Sequence, residues 1–145
     1  MREKLAKEDG FTLIEVVIVV IIIGFLAGTV GPNLFSRVSQ ARRTTAKNQL
    51  EIFALALDNY RLDTGRYPTT QQGLEALVEQ PTSSPVPENW NGPYLDKREI
   101  PLDPWGNEYQ YEYPGTNNPE SYDLWSWGAD GQRGGQGEDA EIANW

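Results

Sequence analysis

Three hydropathy regimes follow one another along the chain: a stretch apolar throughout, a stretch apolar on one face, and a mixed remainder. Residues 16–30 read VVIVVIIIGFLAGTV, with no charge and a single polar side chain, Thr29. Counted from Phe11, the apolar run is 20 residues long. As a helix it spans about 30 Å at roughly 1.5 Å per residue, enough to cross a bilayer core. Gly31-Pro32 loosens any helix there, since proline removes a backbone donor and crowds the preceding turn.

Helical spacing returns beyond that point. Leu34, Val38 and Ala41 recur on one face, then Leu50, Phe53, Ala54, Leu57 and Tyr60. Arg37, Arg42, Arg43, Lys47, Asp58 and Arg61 fall on the other. The pattern predicts an amphipathic helix packing one stripe against a domain, not a second span. Asp63-Thr64-Gly65 ends it, with Gly65 as a left-handed cap and Pro68 barring continuation. The expected element is one long, bent helix over residues 11–62.

The mixed remainder predicts smaller pieces. Thr69 and Gln72 match a capping box that opens a short helix over residues 71–79, closed by Pro81. Residues 81–92, PTSSPVPENWNG, are loop by composition. Tyr109, Tyr111 and Tyr113 alternate with Gln110 and Glu112, and Leu124 to Trp127 suggest a second strand. A long helix laid on a small antiparallel sheet is an α+β arrangement. Trp90, Trp105, Trp125, Trp127 and Trp145 are expected to supply core area.

Composition narrows the chemistry. The chain has no cysteine and no histidine, which removes disulfides, thiolate metal sites and the commonest general base. The net charge of −9 sits in the second part of the chain: residues 88–145 carry Lys97, Arg98 and Arg133 against twelve acids. Such a domain repels nucleic acid. Asp123 and Asp130 have no sugar-binding signature around them, so a glycosidase pair is not the reading.

Two constellations remain. Glu15 places a carboxylate at the mouth of the apolar run, costly to bury unless something pairs with it. That position also argues against an ordinary cleaved secretory signal. The second constellation, residues 127–141, reads WGADGQRGGQGEDAE. Oxygen-bearing side chains on a glycine-loosened backbone suit Ca²⁺, which takes six to eight oxygen ligands including main-chain carbonyls. A solvated acidic turn is the alternative. An EF-hand is excluded, because Gln132 and Gly134 stand at its third and fifth positions.

Gly10-Phe11-Thr12-Leu13-Ile14-Glu15 resembles the processing site of the type IV pilin family, and further motifs resemble its type II secretion major pseudopilins. These are residues 60–70 (YRLDTGRYPTT), Gln72-Gly73-Leu74, Asp103-Pro104-Trp105-Gly106 and Gly128-Ala129-Asp130-Gly131. The resemblance spans essentially the whole chain and implies a type IV pilin-like fold. It implies a leader over residues 1–10, an assembly helix over 11–32 and a periplasmic domain over 33–145. Cleavage follows Gly10, methylation falls on Phe11, Glu15 is the acidic assembly position, and Gly24 and Pro32 lie where the helix loosens on assembly. It further implies Ca²⁺ in the C-terminal loop, with Asp130, Asp139 and the Trp127 carbonyl as ligands and Glu138 as a weaker one.

The implied role is structural and not enzymatic: the major subunit of a helical homopolymer that drives folded proteins across the outer membrane. The implied partners are further copies of the chain, minor pseudopilins, a prepilin peptidase and methyltransferase, and an inner-membrane assembly platform, with the lipid bilayer before assembly. A free α-amine at Phe11, with a pKa near 8, is mostly cationic at neutral pH. Paired with a neighbour's Glu15 in a low-dielectric setting, it forms a contact whose rupture costs about 3–5 kcal/mol. Two alternatives stand beside this reading: an adhesive or motility type IV pilin, and an anchored calcium-binding domain that never polymerises.

Overall fold

A computed structural model describes residues 10–145, apart from the side chains of residues 30–34; the leader expected over 1–10 thus lies outside the described residues except for Gly10. The chain separates into two compact units, Met1–Val38 and Ser39–Trp145, and the division falls inside its longest helix. That helix, α1, runs over Leu13–Thr64.

In the first unit none of the described side chains of α1 is buried. Its large apolar side chains from Leu13 to Leu26 are 43–82 % exposed, on every side of the helix, and Phe11 just before it is 86 % exposed. A helix apolar all round has no face to turn to water and requires an apolar surrounding. Gly24 and position 32 both lie within α1, with no interruption of the helix at either. Among the described residues no helix is long and apolar enough to cross a membrane.

In the second unit the predicted stripe packs as expected from Leu50 onward, with Ala54 half-buried, and Ala46, not among the residues expected, joins it. Ala46, Leu50, Phe53, Leu57 and Tyr60 are buried at intervals of three and four. The stripe begins later than the sequence suggested: Val38 and Ala41 are exposed, and the side chain of Leu34 lies outside those described. At the far end the Gly65 N–H donates to the Arg61 carbonyl at 2.8 Å with φ +82°, the left-handed cap expected there.

The helix stripe faces a small antiparallel sheet. Strands β1 (Gln110–Glu112), β2 (Asp123–Ser126) and β3 (Ile142–Ala143) lie in that order. Tyr111 stands opposite Leu124, and Ser126 opposite Ile142. Phe53 meets Tyr109 edge-on at 5.2 Å, and Leu124 and Ile142 complete the core. The third strand was missed because two residues are too short for alternation to register.

The short helix expected over residues 71–79 contracts to a single 3-10 turn, Leu74–Leu77. The reciprocal cap is present: Thr69 N–H donates to Gln72 Oε1 at 3.1 Å and Gln72 N–H to Thr69 Oγ1 at 3.2 Å. Gly73, at φ +63° and ψ −166°, then breaks helical geometry before a second turn forms.

Candidate functional site

The amino end of α1 is built by a reciprocal cap that sequence inspection did not single out. Thr12 precedes the helix and Glu15 lies in its first turn. Thr12 N–H and Oγ1–H both donate to Glu15 Oε2, at 2.9 and 2.8 Å, and Glu15 N–H donates back to Thr12 Oγ1 at 3.3 Å. The spacing Thr-x-x-Glu before an apolar run was the available signal. The arrangement orients Glu15 at the start of the apolar helix while leaving its side chain exposed. Gly10 and Phe11 are exposed residues outside regular secondary structure just ahead of it.

The second candidate is the loop over residues 127–141. Its two arms lie against each other: Ala129 N–H donates to the Glu138 carbonyl at 2.8 Å. Gly128 sits at this crossing, at φ +86°; a Cβ there would stand 2.6 Å from the Glu138 carbonyl oxygen and 2.9 Å from that of Ala140. Only glycine fits. Gly135 is held likewise, a Cβ falling 2.6 Å from the Asp139 carbonyl oxygen. Asp130 Oδ1 accepts from Gln132 N–H at 3.0 Å, and Glu141 Oε1 from Gly134 N–H at 2.8 Å.

The fold thus brings the Trp127–Asp130 arm onto the 3-10 turn Gly137–Asp139 that carries Glu138 and Asp139. Among the described residues no three Asp or Glu side chains gather as a metal centre. A cation here therefore needs main-chain oxygens as well. The donor set is all oxygen, which suits a hard cation.

The Asp103-Pro104-Trp105-Gly106 motif proves to be the buttress of this loop. Asp103 is buried; its Oδ1 accepts from Trp105 N–H at 3.0 Å and Asn107 N–H at 2.8 Å. Its Oδ2 accepts from Ser126 Oγ at 2.6 Å, and Ser126 Oγ in turn accepts from Gly128 N–H at 3.2 Å. Asn107 Nδ2 donates to the Gly128 carbonyl at 3.1 Å. Ser126 and Asn107 went unremarked in the sequence because neither belongs to a pattern.

Asp123 is also fully engaged. It is 1 % exposed and accepts four hydrogen bonds from the backbone and side-chain nitrogens of Asn117 and Asn118, at 2.7–3.0 Å. Burial alone would raise its pKa, but those four bonds overcome it and the net shift is downward. A carboxylate so occupied has no lone pair left for catalysis.

The tryptophans divide. Trp90 and Trp105 pack against the core, and Trp90 Nε1 donates to the Ala76 carbonyl at 2.8 Å. Trp125 instead stacks edge-on with Trp127 and Trp145, at 5.4 and 5.7 Å, beside a cavity of about 300 Å³. These three do not join the core, because Trp125 points to the face of β2 opposite Leu124. A larger cavity, about 500 Å³, opens beside β1 under Glu75, Glu79, Glu99 and Glu108, away from both candidate sites.

Comparisons with known proteins agree across the chain. The family model described as type II secretion system (T2SS), protein G matches residues 33–145, and the prokaryotic N-terminal methylation motif matches residues 5–31. The type II secretion system core protein G of Pseudomonas aeruginosa is 54 % identical over 140 residues, covering 96 % of each chain. That of Vibrio cholerae is 47 % identical over 144 residues, covering 99 % of this chain and 95 % of its own. The crystal structure of the major pseudopilin from enterohaemorrhagic Escherichia coli superposes with a TM-score of 0.65 at 40 % identity, covering 79 % of this chain and 95 % of that one. A capped apolar helix, a packed α+β domain and these matches together show that the chain belongs to the type II secretion system protein G family.

Proposed function

We propose that the chain is the repeating structural subunit of a type II secretion pseudopilus, anchored in the inner membrane through residues 11–30 before assembly and polymerised through the same helix afterwards. It is a structural subunit and not an enzyme. One observation carries the assembly reading: α1 exposes apolar side chains on all sides from Leu13 to Leu26, while the second unit has its own core. Lipid and a bundle of neighbouring copies are the two surroundings that satisfy such a helix. Head-to-tail contacts that do not close generate an open helical filament.

The amino end sets register in this reading. Removal of residues 1–10 leaves a cationic amine at Phe11, and methylation keeps it cationic. The amine of an entering copy then docks on the exposed Glu15 of the copy before it, with Thr12 holding Glu15 Oε2 in place. The globular domain lies in the periplasm, and the processing enzyme, the assembly platform and the minor pseudopilins act on this exposed end.

Ca²⁺ in the loop over residues 127–141 completes the proposal. Asp130, Asp139 and the Trp127 carbonyl would hold it, with Glu138 beside them, and the ion would bind the two arms of the loop together. The crossing at Gly128 and the all-oxygen donor set support this reading.

The assembly proposal is tested with Glu15→Ala in cells that overexpress the gene with its secretion operon. The variant should remain in the inner-membrane fraction and form no filaments by electron microscopy. Filaments of normal abundance would overturn it. Intact-mass measurement of the wild-type protein should show loss of residues 1–10 and the gain of one methyl group.

A further inference from the structure

Arg43 does not remain on the solvent side of its helix. It is half-buried, and its Nη1 donates to two carbonyls far along the chain, those of Gly137 and Ala140, each at 2.8 Å. Those carbonyls bracket Glu138 and Asp139, so one guanidinium grips the turn from which both carboxylates project. The segment over residues 137–141, Gly-Glu-Asp-Ala-Glu, has three acids and no base of its own. Its counter-charge arrives from α1.

Two further contacts show what the grip does. The Ala140 carbonyl held by Arg43 is also one of the two that crowd Gly128, and its neighbour, the Glu138 carbonyl, accepts from Ala129 N–H. Displacing the turn Gly137–Asp139 would therefore move the wall against which the arm bearing Asp130 is laid. Guanidinium donors to neutral carbonyls are charge-assisted bonds, and the one to Gly137, at 2.8 Å, is shorter than the bond this carbonyl accepts from Ala140 N–H at 3.4 Å.

We propose that Arg43 is a positioning residue that latches the C-terminal loop to α1 and pre-shapes it for a cation. The part concerning the cation rests on the calcium reading above; the latch itself does not. Arg43 holds the carbonyls of Gly137 and Ala140, which are not among the ligands assigned to Ca²⁺, so it prepares the site and does not compete for it. The consequence is a mechanical link. The order of the loop is tied to the amphipathic part of the helix whose amino end assembles, and the occupancy of the loop is felt at position 43.

The test uses the full chain in detergent micelles, as wild type, Arg43→Ala and Arg43→Lys. With a chelator present, hydrogen–deuterium exchange at the amides of residues 134–141 should be about tenfold faster in Arg43→Ala, with residues 50–60 of α1 unchanged. Titration with CaCl₂ should show about tenfold weaker binding for Arg43→Ala. Arg43→Lys should recover part of both effects, since an ammonium supplies the charge without the planar guanidinium fork. Unchanged loop exchange in Arg43→Ala would overturn the latch, and tighter calcium binding by that variant would overturn positioning in favour of competition. Absence of any calcium response in the wild type would refute the calcium reading and the cation half of this proposal, while exchange under chelator still decides the latch.

Discussion

Truncating the buttress of the loop gives the most demanding check on the site. Asp103→Ala removes an acceptor of three hydrogen bonds: Ser126 Oγ at 2.6 Å, Asn107 N–H at 2.8 Å and Trp105 N–H at 3.0 Å. Bonds to a charged acceptor are worth about 1.5–3 kcal/mol each, so the gross loss is several kcal/mol. Against it stands the relief of desolvating a carboxylate that is only 4 % exposed. Loss of the bonds prevails because two of the three donors are backbone groups of a tight loop with nowhere else to turn. The expected net destabilisation is about 3 kcal/mol, equivalent to about 12 °C in Tm for a domain of this size.

The assay is urea or thermal unfolding of the full chain in micelles, followed by tryptophan fluorescence and run as a cycle with Ser126→Ala. The Asp103–Ser126 coupling should be about 1.5–3 kcal/mol, as for a hydrogen bond to a charged partner. Asp103→Asn keeps an acceptor for Trp105 and Asn107 but confronts Ser126 with a second donor, so it should fall between wild type and Asp103→Ala. A shift below about 1 kcal/mol for Asp103→Ala would refute the buttress.

Three further outcomes follow. Thr12→Ala removes the hydroxyl that donates to Glu15 Oε2 and accepts from Glu15 N–H, leaving the backbone donor, and should weaken the first turn of α1 by about 0.5–2 kcal/mol, read as faster amide exchange at residues 13–16 in micelles; unchanged exchange there contradicts the cap. Burial pushes the Tyr94 and Tyr122 hydroxyls up to about 12, and those of Tyr109 and Tyr111 higher still. Their contribution is complete below the unfolded value of about 10 and is lost as pH rises beyond it, so tyrosinate absorbance should appear together with alkaline unfolding; simple titration of every tyrosine near pH 10 contradicts this. Asp123 acts in the opposite sense, its contribution being present above the unfolded value of about 3.9 and lost as pH falls below it. Finally, a chelator should lower Tm, by the equivalent of about 2.7 kcal/mol relative to calcium at a hundredfold excess over Kd, and an unchanged Tm rules the ion out.

Much of this fold was legible because its signals are periodic. Ala46, Leu50, Phe53, Leu57 and Tyr60 hold a helical interval long enough to define a buried stripe, and Gly65 supplies a stop with a stereochemical cause. What escaped notice was short or relational. β3 has two residues, below the length at which alternation means anything. The turn expected to extend over residues 71–79 failed on the single conformation of Gly73, which composition does not specify. Val38 and Ala41 satisfied the spacing for burial but met no partner, because a periodic stripe states which face is apolar and not where the covering layer begins.

The candidate sites divide in the same way. Glu15 announced itself as a charge beside an apolar run, whereas Thr12 became visible only once its hydroxyl was seen to reach back to Glu15. Asp130 and Asp139 could be read from an acidic, glycine-rich string, but the groups that fix that string come from elsewhere: Asp103 and Asn107 from the loop before β1, Ser126 from the end of β2, Arg43 from α1. The bonds Asp103–Ser126, Asn107–Gly128 and Arg43–Ala140 each join residues more than twenty positions apart, while Ser126 passes the contact to Gly128 two positions on, and none recurs at an interval. Local sequence therefore specifies the donors a cation would meet, while distant sequence specifies whether they are held in place to meet it.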